Sequence, residues 1–230
     1  LLGIPIERDF QRPELIAAAP GLNGLVFKTD DADETFAYLR SIGVSAAPPN
    51  AFSRPVDLND GSTHDVKFRT VSVRPDAFPA GRLYFCQHLT PELVWRPEWH
   101  APANNARRFH DVIWLSTGRS THPTPRADIW RARYSTTDTG HPSITRADNF
   151  NLSLLTRKEF ADAYEKIIAA GAILPSDERP IEFGAMIVRG SPPIDLIEQL
   201  RDDTRFLVNE QTGRLDVWIR SVATLLSFVE

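Results

Sequence analysis

The feature that most constrains the fold is a repeated order of secondary-structure elements. Residues 22–89 read as a strand, a helix and two or three further strands. Residues 149–200 read as a strand, a helix, a strand, and a last segment (194–200) that is either a strand or a short helix. The helices are followed by similar stretches, "RSIGVSAAP" and "IAAGAILPS". This repetition favours a fold built from two copies of one supersecondary unit.

Both predicted helices carry clear boundary signals. Asp30 or Asp31 is placed to cap a helix that runs to about residue 42, and Gly43 suits the left-handed position after its last turn. Thr156 and Glu159 have the spacing of a capping box at the start of the second helix. With strands on both sides of each helix, we expect an α+β protein.

The repeat suggests a division of the chain into three parts. Residues 1–99 form a first module, 100–147 a connecting segment with one strand, and 148–230 a second module that ends in a hairpin. A short helix is predicted over 7–19. The chain opens without methionine on "LLGIPI", an apolar run typical of the end of a strand, so we expect a fragment of a longer protein.

Composition and charge exclude several classes of function. A net charge of −4 gives no electrostatic reason to expect a nucleic-acid partner. No apolar run approaches the roughly 18 residues that span a membrane. A single cysteine, Cys86, fits a reducing, cytoplasmic setting. The sequence contains no glycine-rich phosphate loop, no nucleophile elbow and no His-Glu-x-x-His motif.

The stretch "RLYFCQHL" concentrates residues that carry chemistry. Because side chains alternate along a strand, Tyr84, Cys86 and His88 share one face, and Phe85 and Gln87 share the other. A Cys and a His two residues apart can ligate zinc. The alternative is structural: Cys86 is a small core residue, and His88 bonds the loop that follows.

Three further side chains are candidates for substrate binding. Arg54 and Arg69 suit a bidentate contact to an anionic substrate, although the alternation of Arg69 with Lys67 also fits a solvent-facing position. Trp95 either pins its segment to the sheet or forms a wall of a ligand pocket.

The segments "GLNGLVFKTDDADETFAYLRSIGV", "PPNAFSRPVDL", "KFRTVSV" and "GRLYFCQHLTPELVWRPEW" together resemble the glyoxalase-like family of the vicinal-oxygen-chelate superfamily. The resemblance covers about residues 1–99. It implies paired βαβββ modules that form a cupped mixed sheet, in which side chains from both modules converge on a divalent ion such as Zn, Ni, Fe or Mn. That ion would bind two substrate oxygens and stabilise an enediolate or similar anion.

The resemblance also implies site residues. Cys86 stands where a typical member has its last-strand glutamate, with His88 two residues further along. Glu198 matches the last-strand glutamate of the second module, as a metal ligand and catalytic carboxylate. His110 begins a strand, as a ligating histidine often does. Gly24 occupies a position where metal-binding members tend to carry histidine.

From these observations we expect a metal-dependent lyase, isomerase or dioxygenase that acts on a small oxygen-rich metabolite. The alternative is a metal-free protein that binds a small molecule on the same fold, which the glycine at position 24 favours. A structural module of a longer protein is a third interpretation. The resemblance makes a homodimer plausible, because such modules often pair across chains.

Overall fold

A computed structural model describes residues 21–78, 81–97, 103–116, 144–147, 150–173 and 181–230. These residues form an α+β structure with two mixed sheets. The elements in chain order are β1 (Gly24–Lys28), α1 (Ala32–Ser41), β2 (Asn50–Asp57), β3 (Thr63–Ser72), β4 (Arg82–His88), β5 (Arg108–Ser116), β6 (Ile144–Ala147), β7 (Phe150–Thr156), α2 (Arg157–Ala163), α3 (Glu165–Ala169), β8 (Ile181–Arg189), α4 (Ile194–Asp202), β9 (Phe206–Gln211), β10 (Arg214–Ile219) and β11 (Thr224–Val229).

The first module forms the four-stranded sheet. Its spatial order is β1-β4-β3-β2, in which β1 runs parallel to β4 and the other pairs are antiparallel. Asp31 caps α1 by accepting a hydrogen bond from the backbone N–H of Glu34 at 2.9 Å, as the sequence predicts. The helix covers one face of this sheet, where Leu39 is fully buried with Phe27 and Phe85.

The remaining strands form a seven-stranded sheet in the order β6-β7-β5-β8-β11-β10-β9. Within it, β8, α4, β9, β10 and β11 repeat the first module: the strands lie in the order β8-β11-β10-β9, and β8 runs parallel to β11. The second complete βαβββ unit therefore spans residues 181–229 rather than beginning near residue 149. Strand β7, which the sequence assigns to that unit, instead extends the sheet by pairing in parallel with β5.

The two sheets share one core. The α1 face of the four-stranded sheet packs against Val112, Trp114 and Leu152 of the seven-stranded sheet. A second core lies under α2 and α3, where Phe160, Tyr164 and Ile167 are buried, and a third lies under α4. The four-stranded sheet thus has its α1 face buried, and its opposite face carries a separate, smaller cluster.

Several predicted boundaries differ from the observed ones. The capping box of Thr156 and Glu159 is present, but the helix it starts is divided at Tyr164 into α2 and α3. Strand β6 lies in a segment for which the sequence predicts mostly turn and loop. The predicted helix over 7–19 lies outside the described residues. No helix in the described ranges is long and apolar enough to cross a membrane.

Candidate functional site

Strand β4 alternates as the sequence predicts. Tyr84 and Cys86 lie in the smaller cluster on one side of the sheet, and Phe85 lies in the shared core on the other. Gln87 also points away from Cys86: its Nε2 donates to the carbonyl of Asp30 at 2.7 Å, and its Oε1 accepts from the backbone of α1. The alternation therefore separates the candidate site from the core.

We call the side of the four-stranded sheet opposite α1 the Tyr84 face, and define it by Arg54, Phe68, Tyr84, Cys86 and His88. The strand register places these residues together. Phe68 lies opposite His88 across β3 and β4, and the β2–β3 pairing brings Arg54 next to the same cluster. Four of the predicted site residues thus lie on one surface.

Two arginines lie over aromatic rings on this face. The guanidinium carbon of Arg54 is 5.3 Å from the centroid of the Phe68 ring. The guanidinium carbon of Arg82 is 4.2 Å from the centroid of Tyr84. Both distances are within the range of cation–π attraction. The sequence analysis did not include Arg82 among the site residues. Its position two residues before Tyr84 on the same strand could have indicated that both side chains lie on one face.

His88 is held in place by Trp95. The indole Nε1 of Trp95 donates a hydrogen bond to Nδ1 of His88 at 3.0 Å, and the two rings stack at a centroid distance of 5.5 Å. The edge of Phe68 contacts the same imidazole. This geometry supports the interpretation of Trp95 as a pin between its segment and the sheet, although 53% of Trp95 is exposed.

The electrostatics of this face are positive. Burial raises the pKa of the Cys86 thiol, against the smaller opposing effects of Arg54 and Arg82. Burial also lowers the pKa of His88, and the positive charges of Lys28 and Arg54 lower it further. The raised pKa leaves less of the thiolate form of Cys86, which is the nucleophilic form.

Arg69, a predicted substrate-binding residue, does not lie on the Tyr84 face. Arg69 pairs in register with Gln87, which places it on the α1 face. There its guanidinium makes two hydrogen bonds to the carboxylate of Asp33, at 2.7 and 2.9 Å. The bidentate contact that the sequence suggested for a substrate is made instead to the first turn of α1.

The segment 194–200, predicted as either a strand or a short helix, is helical, so Glu198 does not lie on a last strand as the resemblance implies. Residues 194–202 form helix α4, which follows Pro193 and buries Ile197 against the sheet, and Glu198 is exposed on that helix. The apolar residues of this segment follow a helical spacing.

His110 is at an irregularity in the pairing of β5 with β8, between Phe109 and Asp111, and burial lowers its pKa. Neither His110 nor Glu198 belongs to the Tyr84 face as defined by the four-stranded sheet.

The described residues do not fit the divalent metal that the resemblance implies. Cys86 and His88 lie two residues apart on one face, but Nδ1 of His88 is already the acceptor of the Trp95 hydrogen bond. Across the described ranges, no group of three or more His, Cys, Asp or Glu side chains is arranged to hold a metal ion. A protein metal centre usually takes three or four such ligands, more than the described residues bring together.

Sequence reasoning missed two aspartates in the seven-stranded sheet, one buried and one half-buried. Asp216 is fully buried and accepts hydrogen bonds from Ser227 Oγ at 2.6 Å and from Gln211 Nε2 at 3.1 Å. Asp111 accepts from Ser153 Oγ at 2.6 Å, and its Oδ1 has no hydrogen-bond partner in the described part of the chain. An aspartate in the middle of an apolar strand was the available signal for both.

A comparison with known protein families identifies the family of this chain. A family model described as a glyoxalase-like domain matches residues 4–143 of the 230. The chain therefore belongs to the glyoxalase-like domain family, within the vicinal-oxygen-chelate superfamily.

No curated protein matches the chain. Among solved structures, the chain is similar to a crystal structure of a hypothetical protein from Staphylococcus aureus, at 11% sequence identity and a TM-score of 0.49. The similarity covers 87% of this chain and 63% of that one, so the chain spans less than two thirds of that protein's length.

Proposed function

We propose that this chain binds a small, oxygen-rich anion on the Tyr84 face, as a metal-free binding protein on the glyoxalase-like fold. The observation that carries the proposal is the placement of two arginines over two aromatic rings on one side of the sheet. The charges that perturb Cys86 and His88 in the described structure are those of Arg54, Arg82 and Lys28, all of them cations.

The arrangement suits a carboxylate attached to a flat or hydroxylated body. The guanidinium of Arg54 can present its planar N–H fork to a carboxylate while it lies over the Phe68 ring. The half-buried Tyr84 and the exposed Trp95 provide apolar surface for the rest of the molecule. A few charged groups beside an aromatic surface are typical of small-molecule sites.

Salicylate and salicylamide provide a direct test, because they share a ring and a hydroxyl group but only salicylate carries a charge. Calorimetric titration should show that the protein binds salicylate. It should bind salicylamide at least about tenfold more weakly. Arg54→Ala should weaken salicylate binding by about tenfold or more. Arg69→Ala is the matched control, since it removes an arginine from the opposite face of the same hairpin. Equal loss in both variants, or equal affinity for the two compounds, would refute the proposal.

A metal-dependent lyase, isomerase or dioxygenase acting on an oxygen-rich metabolite is the second candidate function. The observation in its favour is that Cys86 and His88 lie on the same face two residues apart. Its test is metal analysis of the purified protein after supplementation with Zn, Ni, Fe and Mn. A stoichiometric ion that is lost in His88→Ala would support this candidate, and absence of any ion while salicylate still binds would contradict it.

The proposal extends to the setting of the protein. The single cysteine is a buried thiol without a disulfide, in keeping with a cytoplasmic location. We also propose that the protein forms a homodimer and binds a small molecule. Neither nucleic acid nor a membrane is a proposed partner. Light scattering at several protein concentrations tests the dimer.

A further inference from the structure

The acidic side chains of strands β1 to β4 lie away from the Tyr84 face. Asp57 and Asp65 are the acidic residues of these four strands, and the alternation along β2 and β3 places both on the side opposite Arg54 and Phe68. The Tyr84 face itself carries the guanidinium groups of Arg54 and Arg82. An anion on this face therefore meets positive charge and no carboxylate from the strands.

A third cation, Lys28, lies on the same face. The parallel pairing of β1 with β4 puts Lys28 in register with Cys86, and it puts Phe27 in register with Phe85 in the core on the opposite side. The Lys28 side chain is 59% exposed, and its ammonium group lies 3.6 Å from the carboxylate of the exposed Asp30. An ion pair between exposed groups contributes little to stability, so a ligand carboxylate can compete with Asp30 for Lys28.

Lys28 and Arg54 lie on either side of His88. Lys28 is on β1, which borders β4, whereas the guanidinium of Arg54 lies over Phe68 on β3, which borders β4 on its other edge. Two strand spacings separate β1 from β3, which is about 10 Å. Burial lowers the pKa of His88, and the positive charges of Lys28 and Arg54 lower it further, in keeping with a position between them.

The surface between these two cations is aromatic. The indole of Trp95 is stacked on His88 and remains 53% exposed. Its Nε1 donates to His88 Nδ1, so the ring is held in place before any ligand binds, which lowers the entropy cost of binding. A flat apolar surface suits the methylene chain of a small ligand, and the cations on its two sides suit a negative charge at each end of that chain.

We infer that the Tyr84 face binds a dicarboxylate, an inference that rests on the proposed function of this face. One carboxylate contacts the guanidinium of Arg54, the other contacts the ammonium group of Lys28, and the chain between them lies on Trp95. Because each contact takes up about 3 Å of the span, the nearest oxygens of the two carboxylates are about 4 Å apart, a separation that glutarate can provide. An anion with one carboxylate reaches only one of the two cations.

Calorimetric titration with glutarate and valerate tests the inference on the full chain. The two compounds have the same number of carbons, and valerate has a methyl group in place of the second carboxylate. Glutarate should bind at least about tenfold more tightly than valerate. Equal binding of the two, while salicylate still binds, would overturn the dicarboxylate inference and leave the proposed function intact. Absence of binding by both salicylate and glutarate would refute both.

Two lysine variants locate the second carboxylate. Lys28→Gln should weaken glutarate binding by about tenfold and leave salicylate binding, which depends on Arg54, unchanged. Lys67→Gln is the matched control and should leave glutarate binding unchanged. Lys67 is an exposed lysine of β3 between Val66 and Phe68, whose side chains lie on the Tyr84 side, so it lies on the opposite side.

Thermal unfolding should show that both lysine variants are folded, because both side chains are exposed. Equal losses of glutarate affinity in the two variants would indicate a general effect of charge and overturn the inference. An unchanged glutarate affinity in Lys28→Gln would contradict the assignment of the second carboxylate.

Discussion

Trp95 donates a hydrogen bond from its indole nitrogen to Nδ1 of His88 at 3.0 Å, while their rings are stacked with an interplanar angle of 17°. This contact joins the segment after β4 to the sheet and requires an unprotonated Nδ1 on His88. The imidazole therefore links the geometry of the Tyr84 face to pH.

The first prediction is that protonation of His88 destabilises the protein. The pKa of His88 is lowered in the folded state, so folding favours the neutral ring. The resulting stability is present above the ordinary histidine pKa of about 6.5 and is lost as the pH falls below it. Thermal unfolding at pH 7.5 and pH 5 should show a larger decrease in wild type than in His88→Gln, which accepts the Trp95 bond but does not titrate. An equal decrease in both would contradict this role.

A second prediction concerns the buried carboxylate of Asp216. It is the acceptor for Arg214, Gln211 and Ser227, so Asp216→Ala leaves the Arg214 cation without its partner. Removal of one partner of a buried ion pair costs about 3–5 kcal/mol. Urea denaturation should show a loss of that size. Ser227→Ala should lose about 1–3 kcal/mol, since it removes one hydrogen bond and keeps the ion pair. A loss in Asp216→Ala no larger than that in Ser227→Ala would count against the ion pair.

The third prediction is a pH-dependent gain of stability in Asp111→Asn. Burial raises the pKa of Asp111 in the folded state, so folding disfavours its charged form. Stability linked to this group is present below the ordinary aspartate pKa of about 3.9 and is lost as the pH rises through the raised value. The difference in melting temperature, variant minus wild type, should therefore increase between pH 4 and pH 8. A constant or shrinking difference would be inconsistent with a half-buried carboxylate whose Oδ1 has no hydrogen-bond partner in the described residues.

A fourth prediction compares two glycines with positive φ. At Gly190, an added methyl group would collide with the backbone of Asn105, whereas at Gly61 it would meet nothing within 4 Å. Gly61→Ala should cost about 1–3 kcal/mol from its backbone conformation alone. Gly190→Ala should cost more by at least about 1 kcal/mol, because overpacking adds to the same strain. Urea denaturation of both variants measures the difference, and equal costs would argue against the close approach.

The sequence predicted the first module well because its signals are local. Asp31 marks the start of α1, and Gly43 follows its end. The alternation along β4 placed Tyr84, Cys86 and His88 on one face. The family followed from the same stretch and is confirmed. Local capping and alternation depend on neighbouring residues, so a single sequence is sufficient to see them.

What the sequence could not predict depends on pairing between distant strands. Residues 149–200 contain a strand and a helix, but only the pairing of β8 with β11 shows that the repeat begins at β8. The same limit affected the site. Arg54 and Arg69 lie on the two adjacent strands of one hairpin, and only their register decides that Arg69 faces Asp33 while Arg54 faces Phe68. A short apolar segment such as 194–200 is compatible with a strand or a helix. The helix is formed because it buries Ile197 against the sheet.

Amide chemical-shift mapping with saturating salicylate tests the central claim most directly, since it reports where on the chain the anion binds. Binding on the Tyr84 face predicts the largest shifts at residues 52–56 and 82–88, with loss of those shifts in Arg54→Ala and their retention in Arg69→Ala. Shifts confined to α1 and the Arg69 side of the sheet, or to residues 181–230, would contradict it.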